Sequence, residues 1–166
     1  DDDEERAVEF AQEAVDGFGV LYAAEHKRMA NAKLGLDADS HDGPQLLADM
    51  LTAMQAAGSD FTNSFVALKE NRLEDLHDGD WQRALQDIWE KQGGLEWSEY
   101  GRENPRIIPR NHRIEEAITA ALEGDMAPFE TLRAALAYPF ELAPEHEHLT
   151  QPPGKDEAVL QTFCGT

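Results

Sequence analysis

Residues 104–118 read NPRIIPRNHRIEEAI, an extended segment that runs directly into a helix. Each of its two prolines fixes its own φ and disfavours the α conformation of the residue before it, so the backbone is expected to be extended as far as Ile108. Asn111 then predicts a helix N-cap, and Glu115 and Glu116 are expected to face the positive end of the helix dipole. The stretch therefore predicts a stiff extended lead-in and a helix with a sharp start.

The helix that starts there carries a regular apolar face. Its members recur at i, i+3, i+4, i+7 and i+8, and they are Ile114, Ala117, Ile118, Ala121 and Leu122. Similar patterns predict five further helices, the last of which ends before Pro139. The expected caps are Asp60, Asp80 and Asp125, and the expected stops are Gly35, Gly58, Gly93, Gly94 and Gly124. Trp81, Leu85 and Trp89 share one helix face and are predicted to be core.

The first of these helices is expected to run from Glu4 to about Leu34. Its apolar face steps by three or four residues through Val8, Ala11, Val15, Phe18 and Tyr22, with acidic residues on the other side. Gly17 and Gly19 interrupt it, and each costs about 1 kcal/mol relative to alanine. Either the helix bends there, or another backbone approaches it closely.

No run of alternating apolar residues predicts a strand. We therefore predict an all-α chain, with an irregular bundle of about six helices over residues 1–143. A long extended tail is expected over residues 144–166, where Pro144, Pro152 and Pro153 interrupt helix formation.

The composition restricts the kinds of partner. The 166 residues carry a formal net charge of -20, from 34 acidic and 14 basic residues. This balance argues against general nucleic-acid binding and against binding to an anionic membrane, since both need clustered Lys and Arg. A well-solvated acidic surface, as in an organism with a salty cytoplasm, is the first explanation, and a dedicated basic partner is the second.

The sequence predicts neither a membrane-spanning segment nor a signal peptide at the start of the chain. No apolar run approaches the roughly 20 residues that a membrane-spanning helix needs. The acidic start lacks the positive charge and the apolar core of a signal peptide. The chain also does not begin with methionine, so we expect it to be a piece of a longer protein or a processed one.

The main electrostatic feature of this acidic chain is a cluster of arginines. Its members are Arg102, Arg106, Arg110 and Arg113. Guanidinium groups suit bidentate pairing with carboxylates or phosphates, which leaves two interpretations. In the first and preferred one the arginines are structural and pair with nearby acids, namely Glu96, Glu99, Glu103, Glu115 and Glu116. In the second they bind a phosphate or a partner, while His112 caps or packs against the helix.

We find no catalytic, cofactor-binding or metal-binding motif in this segment. His146 and His148 place two imidazoles on one loop, but two ligands without a third do not define a zinc site. The loop from Asp37 to Gly43 superficially suggests a calcium site, yet its glycine and its twelfth position do not fit the EF-hand pattern. The single cysteine, Cys164, lies near the terminus, where an exposed thiol is accessible to oxidants and to other thiols.

Several stretches together resemble the C-terminal part of the selenoprotein O (SelO) family. They are KLGL at residues 33–36, GSDFT at 58–62, the run at 104–118, GD at 124–125 with PF at 128–129, YP at 138–139, PP at 152–153 and QTFCGT at 161–166. The run N-P-x-x-I-P-R-N-H-R-x-E-E-A-I is the most specific of them. The stretches follow one another in this order and together span nearly the whole chain.

The resemblance implies a larger protein-kinase-like fold of which this chain is a part. Family members transfer AMP from ATP to Ser, Thr or Tyr hydroxyls of proteins, with Mg²⁺ or Mn²⁺, and their catalytic and metal-binding residues lie upstream of this segment. Cys164 stands where many members have a cysteine with a redox role, although the ending Cys-Gly-Thr departs from the selenocysteine-type ending. The resemblance further implies a cytoplasmic location in a bacterium, or a mitochondrial one in eukaryotes.

We therefore expect this chain to be the C-terminal helical region of a SelO-type protein adenylyltransferase. Its expected partners are the upstream kinase-like region and, for the full-length enzyme, protein substrates. The alternative is an acidic helical interaction module without enzymatic activity, whose binding to a basic partner would weaken with ionic strength.

Overall fold

The structure, a computed structural model, describes residues 2–77, 79–94 and 103–159. Within these ranges all regular structure is helical and there is no strand, which confirms the prediction of an all-α chain. The α-helices are α1 Asp2–Leu34, α2 Gly43–Ala57, α3 Phe61–Lys69, α4 Asp80–Lys91, α5 Asn111–Leu122 and α6 Ala127–Leu136. Short 3₁₀ helices lie at Leu73–Asp75 and Pro144–Thr150.

Four of the α-helices end at the glycines that were predicted to stop them. Gly35 follows α1 with φ 63° and Gly124 follows α5 with φ 91°, a left-handed conformation that glycine adopts without a steric penalty. Gly58 and Gly93 follow α2 and α4 with the same sign of φ. Helix α6 ends before Pro139, as predicted.

The helix starts were predicted less accurately. Asp60 caps α3 as expected, because its Oδ1 accepts a hydrogen bond of 2.9 Å from the backbone N–H of Asn63. The caps predicted at Asp80 and Asn111 are wrong by one residue: Gly79 and Arg110 occupy the cap positions, and neither has a side-chain cap bond. Asp125 serves its helix from one residue further back and accepts from Ala127 N at 2.9 Å.

The start of α5 shifts because the extended backbone continues through Arg110, at φ −70° and ψ 135°. The carbonyl of Arg110 accepts the first helical hydrogen bonds, from Arg113 N and Ile114 N, both at 3.0 Å. Asn111 is therefore already helical. Glu115 and Glu116 consequently lie beyond the first turn, so the prediction that they face the positive end of the dipole is wrong.

The described chain divides into two compact units. The first comprises Asp1–Ala53 and Asp78–Glu103. Its buried residues come from the end of α1, from α2 and from α4, and they include Leu34, Met50, Trp81, Leu85 and Trp89. The ring nitrogen of Trp89 donates to the carbonyl of Leu34 at 3.0 Å, which satisfies a carbonyl at the end of α1.

Asn31 organises the loop that follows α1. This side chain is 1% exposed, and its Nδ2 lies 3.0 Å from each of the carbonyl oxygens of Asp37, Ala38 and Ser40. A Cβ atom at Gly43 would lie 1.9 Å from Asn31 Oδ1, so only glycine fits at that position. The loop carbonyls of Asp37, Ala38 and Ser40 thus point at the side-chain amide of Asn31.

The second unit comprises Met54–His77 and Asn104–Thr166. One part of its core joins the extended segment before α5, helix α6 and the C-terminal 3₁₀ helix through Ile107, Leu132, Ala135 and Leu149. Helix α3 contributes a continuous buried run, Phe65, Val66, Ala67 and Leu68. The backbone N–H of Arg106 donates to the carbonyl of Pro139 at 2.7 Å, which holds the extended segment beside the end of α6.

One expectation about the ends of the chain needs correction. Residues 144–150 form a 3₁₀ helix rather than extended chain, with Leu149 buried, because Pro144 starts the helix at a position where proline needs no N–H partner. The apolar face of α1 is exposed along residues 3–25. No described atom lies within 4 Å of a Cβ built at Gly17 or Gly19, so a close backbone approach does not explain them there. None of the described helices is long and apolar enough to span a membrane.

Candidate functional site

Arg110 forms the most buried ion pair of the described residues. Its Nη1 and Nη2 donate to the two carboxylate oxygens of Asp60, both at 2.8 Å. The arginine side chain is 7% exposed and the aspartate side chain is 22% exposed. This parallel geometry is the strong form of a guanidinium–carboxylate contact, and it joins the start of α5 to the start of α3.

Asp60 therefore has two roles in one carboxylate. It caps α3 through Asn63 N and it neutralises the guanidinium of Arg110. The hydrogen bond from Arg110 lowers the pKa of Asp60 below its usual value, although burial acts to raise it. The hydrogen bond from the backbone N–H of Asn63 lowers this pKa as well. The carboxylate is consequently charged at neutral pH and fixed in place.

Arg106 belongs to a second group of alternating charges. It pairs with Glu70, which also accepts from Arg72 at 2.9 Å, and Arg72 pairs in turn with Asp75. Burial by itself raises the pKa of Glu70, but the hydrogen bonds and charges of Arg72 and Arg106 outweigh it and the net pKa is lowered. This group ties the extended segment to the end of α3.

Arg113 and His112 occupy the first turn of α5. Arg113 donates to Glu116 at 2.8 Å and lies 3.4 Å from the carbonyl of His148. His112 is 7% exposed, and its Nε2 has no hydrogen-bond partner among the described residues. Burial, assisted by the charge of Arg113, lowers the pKa of His112, which keeps the imidazole neutral at physiological pH.

A cleft of about 430 Å³ lies beside Arg72 and Arg106 within the second unit. Helix α3, the 3₁₀ turn at Leu73–Asp75 and the segment around Thr150 form its walls. Its charged lining consists of Asp60, Glu70, Arg72, Asp75, Arg106 and Glu147. Most of these charges already pair with one another, so the cleft presents compensated ion pairs rather than an unpaired cation ready for a phosphate.

Only some of the predicted site residues lie in the described part of the chain. Arg102 and Cys164, like Glu96 and Glu99, lie outside the described residues. The partners of Arg106 and Arg110 are Glu70 and Asp60, which lie 36 and 50 residues away in the sequence, and not the nearby glutamates that we expected. The one signal for Asp60 was its cap position, which predicts a carboxylate but not a second partner.

The described residues do not form a divalent-cation site. They contain no group of three or more His, Cys, Asp or Glu side chains that could hold a metal ion. His148 Nδ1 is 3.0 Å from the carbonyl of Glu145, within its own 3₁₀ helix. The described part of the chain therefore does not fit the Mg²⁺ or Mn²⁺ that the resemblance implies for the full-length enzyme.

Comparison with known proteins identifies close relatives over the whole chain. Protein nucleotidyltransferase YdiU of Jannaschia sp. (strain CCS1) is 38% identical over 175 residues, which cover 99% of this chain and 36% of the relative. The protein of the same name from Ruegeria sp. (strain TM1040) is 37% identical over 173 residues, covering 100% and 36%. That of Geobacillus kaustophilus (strain HTA426) is 35% identical over 176 residues, covering 100% and 36%. No family model matches the chain.

These relatives define a class of proteins, the protein nucleotidyltransferases. The chain spans about a third of the length of the curated relatives that it matches. It belongs to their family, the selenoprotein O family, as the sequence motifs predicted.

Proposed function

We propose that this chain is the C-terminal helical region of a SelO-type protein adenylyltransferase. In the complete polypeptide an upstream kinase-like region would bind ATP with Mg²⁺ or Mn²⁺ and transfer AMP to Ser, Thr or Tyr hydroxyls of protein substrates. The hydroxyl oxygen attacks the α-phosphorus, pyrophosphate leaves and the hydroxyl proton passes to a base. The present segment supports that region without binding the nucleotide itself.

One observation carries the proposal. Relatives named protein nucleotidyltransferase align with 99–100% of this chain, but the alignment occupies only 36% of their length. The remaining length is available for the nucleotide-binding and catalytic groups that we did not find as motifs in this sequence.

The arginine cluster suits a supporting role. The Arg110–Asp60 pair and the Arg106–Glu70 pair both connect the extended segment before α5 to helix α3. Because these guanidinium groups are engaged with carboxylates, we assign Arg106, Arg110 and Arg113 to holding the second unit together rather than to contact with phosphate.

Cys164 is assigned to redox control of the complete polypeptide, as the family resemblance implies. Non-reducing peptide mapping of the oxidised complete polypeptide tests this assignment. Recovery of Cys164 only as a free thiol would refute it.

Radiolabelled ATP tests the main proposal. We expect the complete polypeptide to transfer label to protein from ATP labelled at the α-phosphate but not from ATP labelled at the γ-phosphate. The 166-residue chain alone should transfer neither label and should show no ATP binding by calorimetry. Transfer of the γ label by the complete polypeptide would indicate a kinase and would contradict the proposal, as would micromolar ATP binding by the chain alone.

A further inference from the structure

Helix α1 presents an apolar face that no described residue covers. Val8, Val15, Phe18 and Tyr22 lie on this face and are 64%, 68%, 64% and 60% exposed. The aromatic rings form a row along it: the centroids of Phe18 and Tyr22 are 5.9 Å apart, and so are those of Tyr22 and His26. Residues 8–22 correspond to about 21 Å of helix.

The opposite side of the same helix is acidic. Glu5, Glu9, Glu13 and Asp16 recur at intervals of four, four and three residues and are exposed. Arg6 is the one basic residue between positions 3 and 24. This two-sided pattern is that of a helix that lies against a surface with its apolar side, since a free helix gains nothing from such a segregation.

Helix α1 is anchored at its other end. Ala30, Asn31 and Leu34 are fully or almost fully buried, and the carbonyl of Leu34 accepts from Trp89. The exposed part is therefore the N-terminal portion of a helix whose C-terminal end is packed into the first unit. A partner surface has to come from outside the described residues.

Two observations identify that partner. Each chain has a formal net charge of -20, and the exposed part of α1 carries one basic residue against a stripe of acidic residues. Repulsion between two such chains disfavours a second copy as the partner of this face. The relatives, by contrast, contain nearly twice as many residues outside the matched segment as within it. A surface in the same polypeptide is tethered, so it is present at an effective concentration on the order of millimolar.

We propose that the apolar face of α1, formed by Val8, Val15, Phe18 and Tyr22, docks onto the part of the complete polypeptide that lies outside this chain. The receiving surface is apolar, and the acidic side of α1, which lies opposite the docked face, stays in contact with solvent. This inference rests on the proposed function, because it takes the chain to be a segment of a longer nucleotidyltransferase.

Hydrogen–deuterium exchange tests the docking. The amides of residues 8–22 are compared in the 166-residue chain and in the complete polypeptide. We expect exchange to slow by at least about tenfold in the complete polypeptide, because docking suppresses fraying of this part of the helix. Equal exchange in the two forms would overturn the proposal.

Two valine variants separate the apolar face from general effects of charge. Val15 and Val20 are 68% and 75% exposed, but they lie about 140° apart around the helix. In the complete polypeptide we expect Val15→Glu to remove the slow exchange and Val20→Glu to leave it unchanged within about twofold. Phe18→Ala, which adds no charge, should give an intermediate loss. Equal effects of Val15→Glu and Val20→Glu would contradict the proposed face.

The remaining outcomes distinguish the two proposals. If the complete polypeptide transfers no AMP but protects α1, the proposed function fails and the docking stands. If it transfers AMP while α1 exchanges freely, the docking fails and the proposed function stands. If light scattering shows that the chain alone is a dimer, that Val15→Glu makes it monomeric and that α1 is unprotected in the complete polypeptide, the occupant is a second copy and the proposal is wrong.

Discussion

Helices α1 and α4 each carry an apolar stripe, but among the described residues of the first unit only the stripe of α4 is covered. On α4, Trp81, Leu85 and Trp89 are 5%, 0% and 8% exposed, whereas Phe18 and Tyr22 on α1 are 64% and 60% exposed. Periodicity predicts that a helix forms and which of its sides is apolar. It does not predict whether the residues that cover that side belong to the same chain.

The two ion pairs made by aspartates at helix starts show the same contrast. Asp60 pairs with a 7% exposed arginine, whereas Asp80 pairs with Arg83 while the two side chains are 96% and 77% exposed. A pair in water contributes about 0–1 kcal/mol, while removing one partner of a buried pair leaves an uncompensated charge. Burial therefore decides which charged residues and which apolar residues stabilise this chain.

Substitution of a buried aromatic residue should give the largest effect. Trp89→Ala removes a packed indole and leaves the carbonyl of Leu34 without its donor. We expect a loss of about 3–5 kcal/mol in the free energy of unfolding of the 166-residue chain, measured by urea denaturation.

Phe18→Ala is the matched control for this loss. Because Phe18 is exposed, the same measurement should change by no more than about 0.5 kcal/mol. Equal losses for the two variants would mean that the apolar face of α1 is covered within the chain itself, and the contrast between α1 and α4 would disappear.

Removal of the buried carboxylate should rank second. Asp60→Ala deletes the cap of α3 and leaves the guanidinium of Arg110 buried without its partner. We expect about 3 kcal/mol of destabilisation by urea denaturation, against at most about 1 kcal/mol for Asp80→Ala. A loss for Asp60→Ala as small as that for Asp80→Ala would show that the Arg110–Asp60 pair is not a structural element.

The same residue contributes to the acid sensitivity of the fold. The folded-state pKa of Asp60 lies below its unfolded value, so its stabilising effect is present above the unfolded value and is lost as the pH falls through the folded pKa. Asp60→Ala should therefore weaken the pH dependence of stability below about pH 4.

Local signals in the sequence predicted most of the secondary structure. Gly35, Gly58, Gly93 and Gly124 mark helix ends because the reversal of φ that ends a helix is a property of one residue and its neighbours. The start of α5 was misplaced by one residue because Asn111 has the better cap side chain, while the extended conformation of Arg110 is set jointly with its contact to Asp60. That contact spans 50 residues, and no local pattern contains it.

The candidate site shows the same limit. The arginines were found from their local concentration, but their partners Asp60 and Glu70 lie on or beside α3 and are brought near by the packing of the second unit. The 3₁₀ helix at Pro144–Thr150 was missed because such helices are short and the surrounding prolines predict extended chain equally well. Burial of Leu149 decides between the two conformations, and that depends on residues far away in the sequence.

The smallest of the expected effects involves His112, a buried polar residue with no partner for its Nε2 in the described chain. The charged groups that act on the ring are Arg110, Arg113, Glu116 and Glu157, and burial is the largest influence on its pKa. The folded pKa lies below the ordinary value of 6.5, so between those two values the unfolded chain binds more protons than the folded chain. Stability should therefore fall as the pH drops below about 6.5, and it should be constant with respect to this group at higher pH.

His112→Gln isolates that contribution, because glutamine keeps a polar side chain of similar length but does not titrate. We expect the free energy of unfolding of the wild-type chain to fall more steeply between pH 7 and pH 5 than that of the variant, as measured by urea denaturation at a series of pH values. Parallel slopes for the wild type and His112→Gln would show that the imidazole of His112 accepts a proton as readily in the folded chain as in the unfolded one. Burial at the start of α5 would then carry no electrostatic cost, in contrast to the buried Arg110–Asp60 pair beside it.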